Sequence, residues 1–129
     1  MLHVLVADDH DWFRAGVVDV LTASGDMQVV AECSDGAEVL PAYRRTRPHV
    51  VVLDVAMPVM DGLRAAAELL SEQPSARVLM LSGSAPAAHV SAARSAGAAG
   101  YLLKDGDPDA LPEFVRAVAA GGSAWQVGD

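Results

Sequence analysis

Four apolar runs in this 129-residue chain each end on a residue that can do chemistry. Leu2-His3-Val4-Leu5-Val6-Ala7 stops at Asp8-Asp9, with Asp11 close behind. His49 to Leu53 stops at Asp54, Arg77 to Leu81 at Ser82, and Ala99 to Leu103 at Lys104. Three carboxylates within a few ångströms repel one another, so ionising all of them needs a counter-charge. A hard divalent cation meets that need with oxygen ligands and retained waters, and magnesium is the default beside phosphate. Two carboxylates can hold the metal while the third acts as a nucleophile, because carboxylates form acyl phosphates once the incoming phosphoryl oxygens are neutralised. A lysine pairs with one phosphoryl oxygen and a hydroxyl donates to another. Each residue alone has a plainer reading. Asp8 and Asp9 could be helix-start acids, Asp54 a turn former, Ser82 a solvated hydroxyl and Lys104 a surface charge. One polar signal at each of four strand ends favours a site that receives a phosphoryl group.

Such a site requires elements that bring those ends together, and the chain alternates strand and helix signals throughout. Apolar Phe13, Val17, Val20 and Leu21 recur at helical spacing from Trp12 to Ala23. Gln28 to Cys33 reads as a second strand, and Asp35-Gly36 opens a helix to about Arg45. The nearly continuous valine of His49–Leu53 is the pattern of a strand buried on both faces. Helices are predicted from Leu63 to Glu72, stopped by Pro74, and from Pro86 to Ala96, capped by Gly97. Asp107 and Pro108 start a last helix that reaches Ala120 before Gly121-Gly122. Pro41 and Pro112 fall about one turn inside predicted helices, which predicts distorted or late-starting first turns there.

Five β-α units with buried strands imply an α/β fold, a doubly wound five-stranded parallel sheet in the order 2-1-3-4-5. Ligands of such sheets bind outside the carboxyl ends of the strands, where Asp8, Asp9, Asp54, Ser82 and Lys104 all fall. The second strand, at the outside, offers only Ser34-Asp35 and is left out.

Composition bounds the rest. The length fits one domain, and 52% hydrophobic against 20% charged residues allows a core. A net charge of −8 argues against a nucleic-acid-binding surface on this segment. The single cysteine, Cys33, excludes an internal disulfide and a cysteine-rich zinc site, and reads as a small buried apolar group. No apolar run approaches the roughly 20 residues of a membrane span, and no cationic leader precedes one, so a soluble cytoplasmic domain is expected. Eight arginines stand against one lysine, with no isoleucine or asparagine, a skew that looks like guanine- and cytosine-rich coding. In that background a lone lysine at a strand end draws attention. His3, His10, His49 and His89 lie at unlike positions and predict no metal or phosphotransfer histidine, and Met57 and Met60 read as loop packing.

The motifs Val4-Leu5-Val6-Ala7-Asp8-Asp9-His10, Asp54-Val55-Ala56-Met57-Pro58-Val59-Met60-Asp61-Gly62, Leu81-Ser82 and Gly100-Tyr101-Leu102-Leu103-Lys104 resemble the receiver domain of two-component response regulators. The resemblance covers residues 1–120. Asp9-His10-Asp11-Trp12-Phe13-Arg14-Ala15-Gly16 and Leu103-Lys104-Asp105 resemble the subfamily with a LuxR/NarL-type DNA-binding output. It implies a flavodoxin-like receiver fold with Asp54 as phosphoacceptor. Asp8 and Asp9 would bind Mg2+ with Asp54 and the backbone carbonyl of Ala56. Ser82 would contact the phosphoryl group, Lys104 would pair with it, and Tyr101 would be the aromatic switch that turns inward. It further implies a histidine kinase as partner, a homodimer on phosphorylation, slow self-dephosphorylation, and DNA contact only through a domain beyond this chain.

Two departures stand out. Asp105 follows Lys104 where many relatives carry proline, and a trans peptide is expected for a non-proline residue. Ala56 puts no side chain over the phosphoryl site, which leaves room for water. The chain after residue 120 is expected to start a linker, residues 121–129, with Trp125 in a tail too short to bury it. Rival readings are a stand-alone receiver acting by protein contact, a metal-dependent phosphatase with an aspartyl-phosphate intermediate, and a flavodoxin-like binding module. Phosphatases of that class place a second acid two residues after the nucleophile, where this chain has Ala56. Binding modules need a Gly-, Ser- or Thr-rich loop after the first strand, where this chain has acids.

Overall fold

The computed structural model describes residues 1–126. Strands β1 (Leu2–Ala7), β2 (Met27–Cys33), β3 (Val50–Leu53), β4 (Val78–Ser82), β5 (Gly100–Leu103) and β6 (Ala124–Trp125) form one sheet in the order β2-β1-β3-β4-β5-β6. Every pairing is parallel. Helices α1 (Asp11–Ala23), α2 (Val39–Thr46), α3 (Gly62–Glu72), α4 (Ala87–Ala96) and α5 (Leu111–Ala119) connect the strands. Among the described residues no helix is long and apolar enough to cross a membrane, and no peptide bond is cis, Lys104–Asp105 included.

The alternation of side chains along each strand divides the core in two. Leu5, Val51, Leu53, Val78, Met80 and Tyr101 pack on one face with residues of α2, α3 and α4. Val4, Val6, Val50, Val52, Leu79 and Leu81 pack on the other with Val17 and Leu21 of α1 and Val115 and Val118 of α5. All four residues of β3 are buried, as expected of a central strand covered on both sides. Both helix-interior prolines are accommodated by late starts. A 3₁₀ turn at Gly36–Glu38, closed by a capping box between Asp35 and Glu38, precedes α2, so Pro41 lies in its first turn. A second 3₁₀ turn, Pro108–Ala110, precedes α5, and Pro112 takes its second position. Neither proline then removes a donor the helix would use.

The sheet has one strand more than the five expected, and that strand lies within residues 121–129, read as the start of a linker. Ala124 is buried against β5, the backbone N–H of Gln126 donates to the carbonyl of Tyr101 at 3.1 Å, and the Gln126 side chain accepts from Leu103 N–H. Trp125 is partly covered, with the Arg94 guanidinium of α4 4.0 Å from its ring centre. The cause is β5 itself, whose outer edge would otherwise present unpaired backbone groups. Residues 127–129 of the expected linker lie outside the described residues.

Candidate functional site

Backbone hydrogen bonds extend each ladder just past its strand, and so set the rim. Asp8 N–H donates to the carbonyl of Cys33 (2.9 Å), Asp54 N–H to that of Ala7 (3.0 Å), and Lys104 N–H to that of Ser82 (2.8 Å). Neighbouring strands therefore end level, and Asp8, Asp54, Ser82 and Lys104 occupy adjacent places on one edge of the sheet. Asp8, Asp54 and Ser82 are the buried polar or charged residues of the described chain, each at most 5% exposed. Asp8 accepts from the backbone N–H of His10, at the start of α1, at 2.9 Å, but its other oxygen turns to Lys104, 2.7 Å away, so it does more than start a helix. Gly62 closes the floor: its backbone lies so near the carbonyl of Asp54 that a Cβ would overlap it. Asp61 caps α3 by accepting from Arg64 N–H at 2.9 Å. Between them, the loop carries Val59 at a φ of 69°, a strained conformation for a β-branched residue.

The electrostatics centre on Lys104. Its ammonium lies 2.7 Å from Asp8 Oδ2 and 3.2 Å from Asp54 Oδ2, and 4.4 Å from the ring centre of Phe13. One cation thus faces two buried carboxylates. Burial, and then the charge of Asp8, push the Asp54 carboxyl above its usual range, while Lys104 and the backbone N–H of Ala56 pull it back. Asp54 Oδ2 is completely buried and accepts no well-aligned hydrogen bond. Two buried carboxylates sharing one ammonium call for further positive charge, and ligand atoms of Asp8, Asp9, His10 and Asp54 all lie within 4.8 Å of one another. A divalent cation with oxygen ligands fits that demand.

Tyr101 is fully buried and donates its hydroxyl to the carbonyl of Ser84 at 2.7 Å, across the turn that leads to α4. Ser82 Oγ accepts from Ser84 N–H at the same turn. Ala56 is exposed on the loop after β3, so nothing of its own side chain covers Asp54. Cys33 is buried, and burial pushes its thiol up to about 11, consistent with an inert packing group.

Three neighbours of the site carry no clear signal in the sequence. His10, set aside with the other histidines, has Nδ1 3.3 Å from Asp8 Oδ1 and 3.2 Å from Asp9 Oδ1. Arg14 donates to the carbonyl of Asp8 at 2.6 Å and bridges Asp11 and Glu32, fixing the acidic loop to β2. Phe13, which reads as one more apolar helix position, covers the ammonium of Lys104. Phe13 and Arg14 are neighbours in the first turn of α1, about 100° apart around its axis, so helical spacing alone does not mark both as facing the pocket.

Comparison with known proteins agrees with this geometry. Residues 4–116 match the family described as "Response regulator receiver domain". The chain is 44% identical over 117 residues to the "Probable transcriptional regulatory protein NarL" of Mycobacterium tuberculosis, covering 91% of this chain and 53% of that protein. The solved receiver domain of NarL from that organism superposes with a TM-score of 0.88 at 42% identity, covering 93% of this chain and 97% of that one. A LuxR-family response regulator from Aurantimonas superposes with a TM-score of 0.92 at 31% identity, over 96% and 89% of the two chains. The chain spans about half the length of the curated relatives it matches.

Proposed function

This chain belongs to the response regulator receiver domain family, and from that premise we propose that Asp54 accepts a phosphoryl group from the phosphohistidine of a partner histidine kinase. The observation that carries the proposal is the buried Asp54 carboxylate, which shares the one Lys104 ammonium with Asp8. A buried carboxylate whose counter-charge is shared with a second acid is placed to act as a nucleophile once further positive charge arrives. An Asp54 oxygen attacks phosphorus, the phosphorus–nitrogen bond breaks, and the imidazole leaves. Lys104 is placed to leave its carboxylate pairs for a phosphoryl oxygen, and Ser82 to donate to another. Asp8, Asp9, Asp54 and the Ala56 carbonyl are the groups that would hold Mg2+. That ion, when bound, supplies the charge that neutralises the phosphoryl oxygens. The domain is not a conventional enzyme; it catalyses its own modification and its slow hydrolysis, with water entering past Ala56.

The signal leaves through Ser82 and Tyr101. Movement of Ser82 toward a phosphoryl group alters the turn whose Ser84 carbonyl receives the Tyr101 hydroxyl, and so biases α4 and β5 as a population shift. The subfamily and the length of the relatives support a cytoplasmic transcription regulator in which this receiver controls a separate DNA-binding domain, with dimerisation on phosphorylation. A parent gene with a stop codon after Asp129 would overturn that last reading and leave output by protein contact.

Mass spectrometry with acetyl phosphate and Mg2+ tests the chemistry. The wild-type chain is expected to gain one phosphoryl group, and Asp54→Asn none. Equal labelling of the variant would move the acceptor elsewhere.

A further inference from the structure

We propose that strand β6 is a latch on the switch: Trp125 and Arg94 are positioning residues that hold Tyr101 inward, so that seating of β6 and phosphorylation of Asp54 favour each other. This rests on the reading of Asp54 and Tyr101 above. Tyr101 and Trp125 are direct partners in the β5–β6 register, and both belong to the core layer that packs against α4. Partners in a parallel ladder stand side by side on one face of the sheet, with their strands about 4.8 Å apart. Trp125 therefore lies on the outer side of the Tyr101 ring. The Arg94 guanidinium, 4.0 Å from the centre of the Trp125 ring, joins it to α4. A tyrosine ring leaving the core must pass over the edge of the sheet, and these two residues close that edge.

Hydrogen bonds tie β6 to the strand that carries the switch. The backbone N–H of Gln126 donates to the Tyr101 carbonyl at 3.1 Å, and its side-chain oxygen accepts from Leu103 N–H at 3.1 Å. The backbone N–H of Ala124 donates to the Ala99 carbonyl at 2.9 Å. Gly100 permits this approach, since a Cβ there would overlap the Ala124 carbonyl oxygen. The Tyr101 hydroxyl, at the far end of the same residue, donates to the carbonyl of Ser84 in the turn that Ser82 shares. One residue thus meets the phosphoryl side through its hydroxyl and β6 through its backbone. Whatever favours the inward ring, a phosphoryl group at Asp54 or a seated β6, then favours the other by the same factor. Strand β6 is an outlet of the switch as well as a cover for the β5 edge.

The test uses the full chain carrying 3-fluorotyrosine, for wild type, Trp125→Ala and Arg94→Gln. The fluorine signals belong to Tyr101 and to Tyr43, which is also buried and serves as the internal control. A buried ring gives a signal indifferent to exchange of H2O for D2O, and wild-type Tyr101 is expected to behave so. Trp125→Ala is expected to add a solvent-sensitive Tyr101 signal that beryllofluoride with Mg2+, a mimic of the phosphoryl group, removes. The same variant is expected to slow labelling by acetyl phosphate about fivefold. Arg94→Gln, which leaves the core intact, is expected to move both readings the same way by less. In wild type, beryllofluoride is expected to slow hydrogen exchange at the Gln126 N–H by about the same factor as the labelling loss. Lost packing alone would lower the unfolding temperature without exposing Tyr101 in the folded chain. An unchanged Tyr101 signal in both variants, or Gln126 exchange indifferent to beryllofluoride, would overturn the latch while a labelled wild type kept Asp54 as acceptor. A wild-type chain that acetyl phosphate leaves unlabelled would instead remove the Asp54 reading, and the coupling with it.

Discussion

The two ends of the sheet use the same ingredients, an acid and a cation, to opposite effect. At the amino-terminal end, Arg116 of α5 grips Asp26 with Nε at 2.8 Å from Oδ2 and Nη2 at 3.0 Å from Oδ1, and Ser24 adds a third donor. The pair is open to solvent, and the Arg116 guanidinium holds the Asp26 carboxyl down to about 2. At the carboxyl end, Lys104 faces Asp8 and Asp54 together, and the Asp54 carboxyl is pushed up instead. Two differences reverse the sign. Water solvates the charges at one end and is excluded at the other, and the buried cation is shared by two acids. A satisfied surface pair tacks a helix to a strand; an unsatisfied buried one is left with chemistry to do.

The contrast breaks most completely if the buried cation is removed. Lys104→Met leaves Asp8 and Asp54 facing each other with no counter-charge, and is expected to cost about 3 kcal/mol of stability at neutral pH. The loss should shrink as pH falls through the carboxylate range, because protonated acids no longer repel. Denaturant titration across pH reads this, and a pH-independent loss would mean that packing against Phe13 dominates. Next in size is Gly62→Ala, whose Cβ would overlap the Asp54 carbonyl. A shift of the loop to relieve it is expected to cost about 2 kcal/mol and to slow phosphorylation as Asp54 moves.

Much of this pocket was legible because a parallel sheet converts sequence order into place. Runs of buried valine and leucine mark where strands end, and strand ends share one rim, so Asp8, Asp54, Ser82 and Lys104 could be assembled before any coordinate was known. The contributions of His10, Arg14 and Phe13 depend on how the turn after β1 points α1, and local spacing does not encode that. Strand β6 was hidden for a different reason. Gly121-Gly122 reads as a hinge, while the pairing of Ala124 and Trp125 depends on the free edge of β5 and on Arg94, residues distant in the chain. Two residues carry no periodicity to detect.

The comparison sharpens if the charge on Asp54 is deleted and the cation kept. Because its carboxyl is raised on folding, the sign follows directly: the ionised form is disfavoured in the folded state, so Asp54 subtracts stability as pH rises through its folded value and is harmless below the unfolded one. Asp54→Asn is therefore expected to raise stability at neutral pH by about 1 kcal/mol. The gain should vanish in acid. Thermal unfolding of both chains at several pH values checks this, and a variant less stable at neutral pH would show that Lys104 needs Asp54 more than Asp54 suffers from burial.

The smallest effect belongs to the other end of the sheet. Asp26→Asn removes an acid whose carboxyl is lowered on folding, so its contribution is present above the unfolded carboxylate value and lost only as pH falls toward about 2. Being exposed, it is screened by water and salt. The variant should therefore unfold within measurement error of wild type in high salt, fall slightly below it in low salt, and phosphorylate at the wild-type rate. The rate is the decisive reading, since Asp26 and Asp54 sit at opposite ends of the strands. A slowed phosphorylation would mean that Arg116 transmits through α5 to the loop carrying Lys104, and that the two ends are coupled rather than merely contrasted.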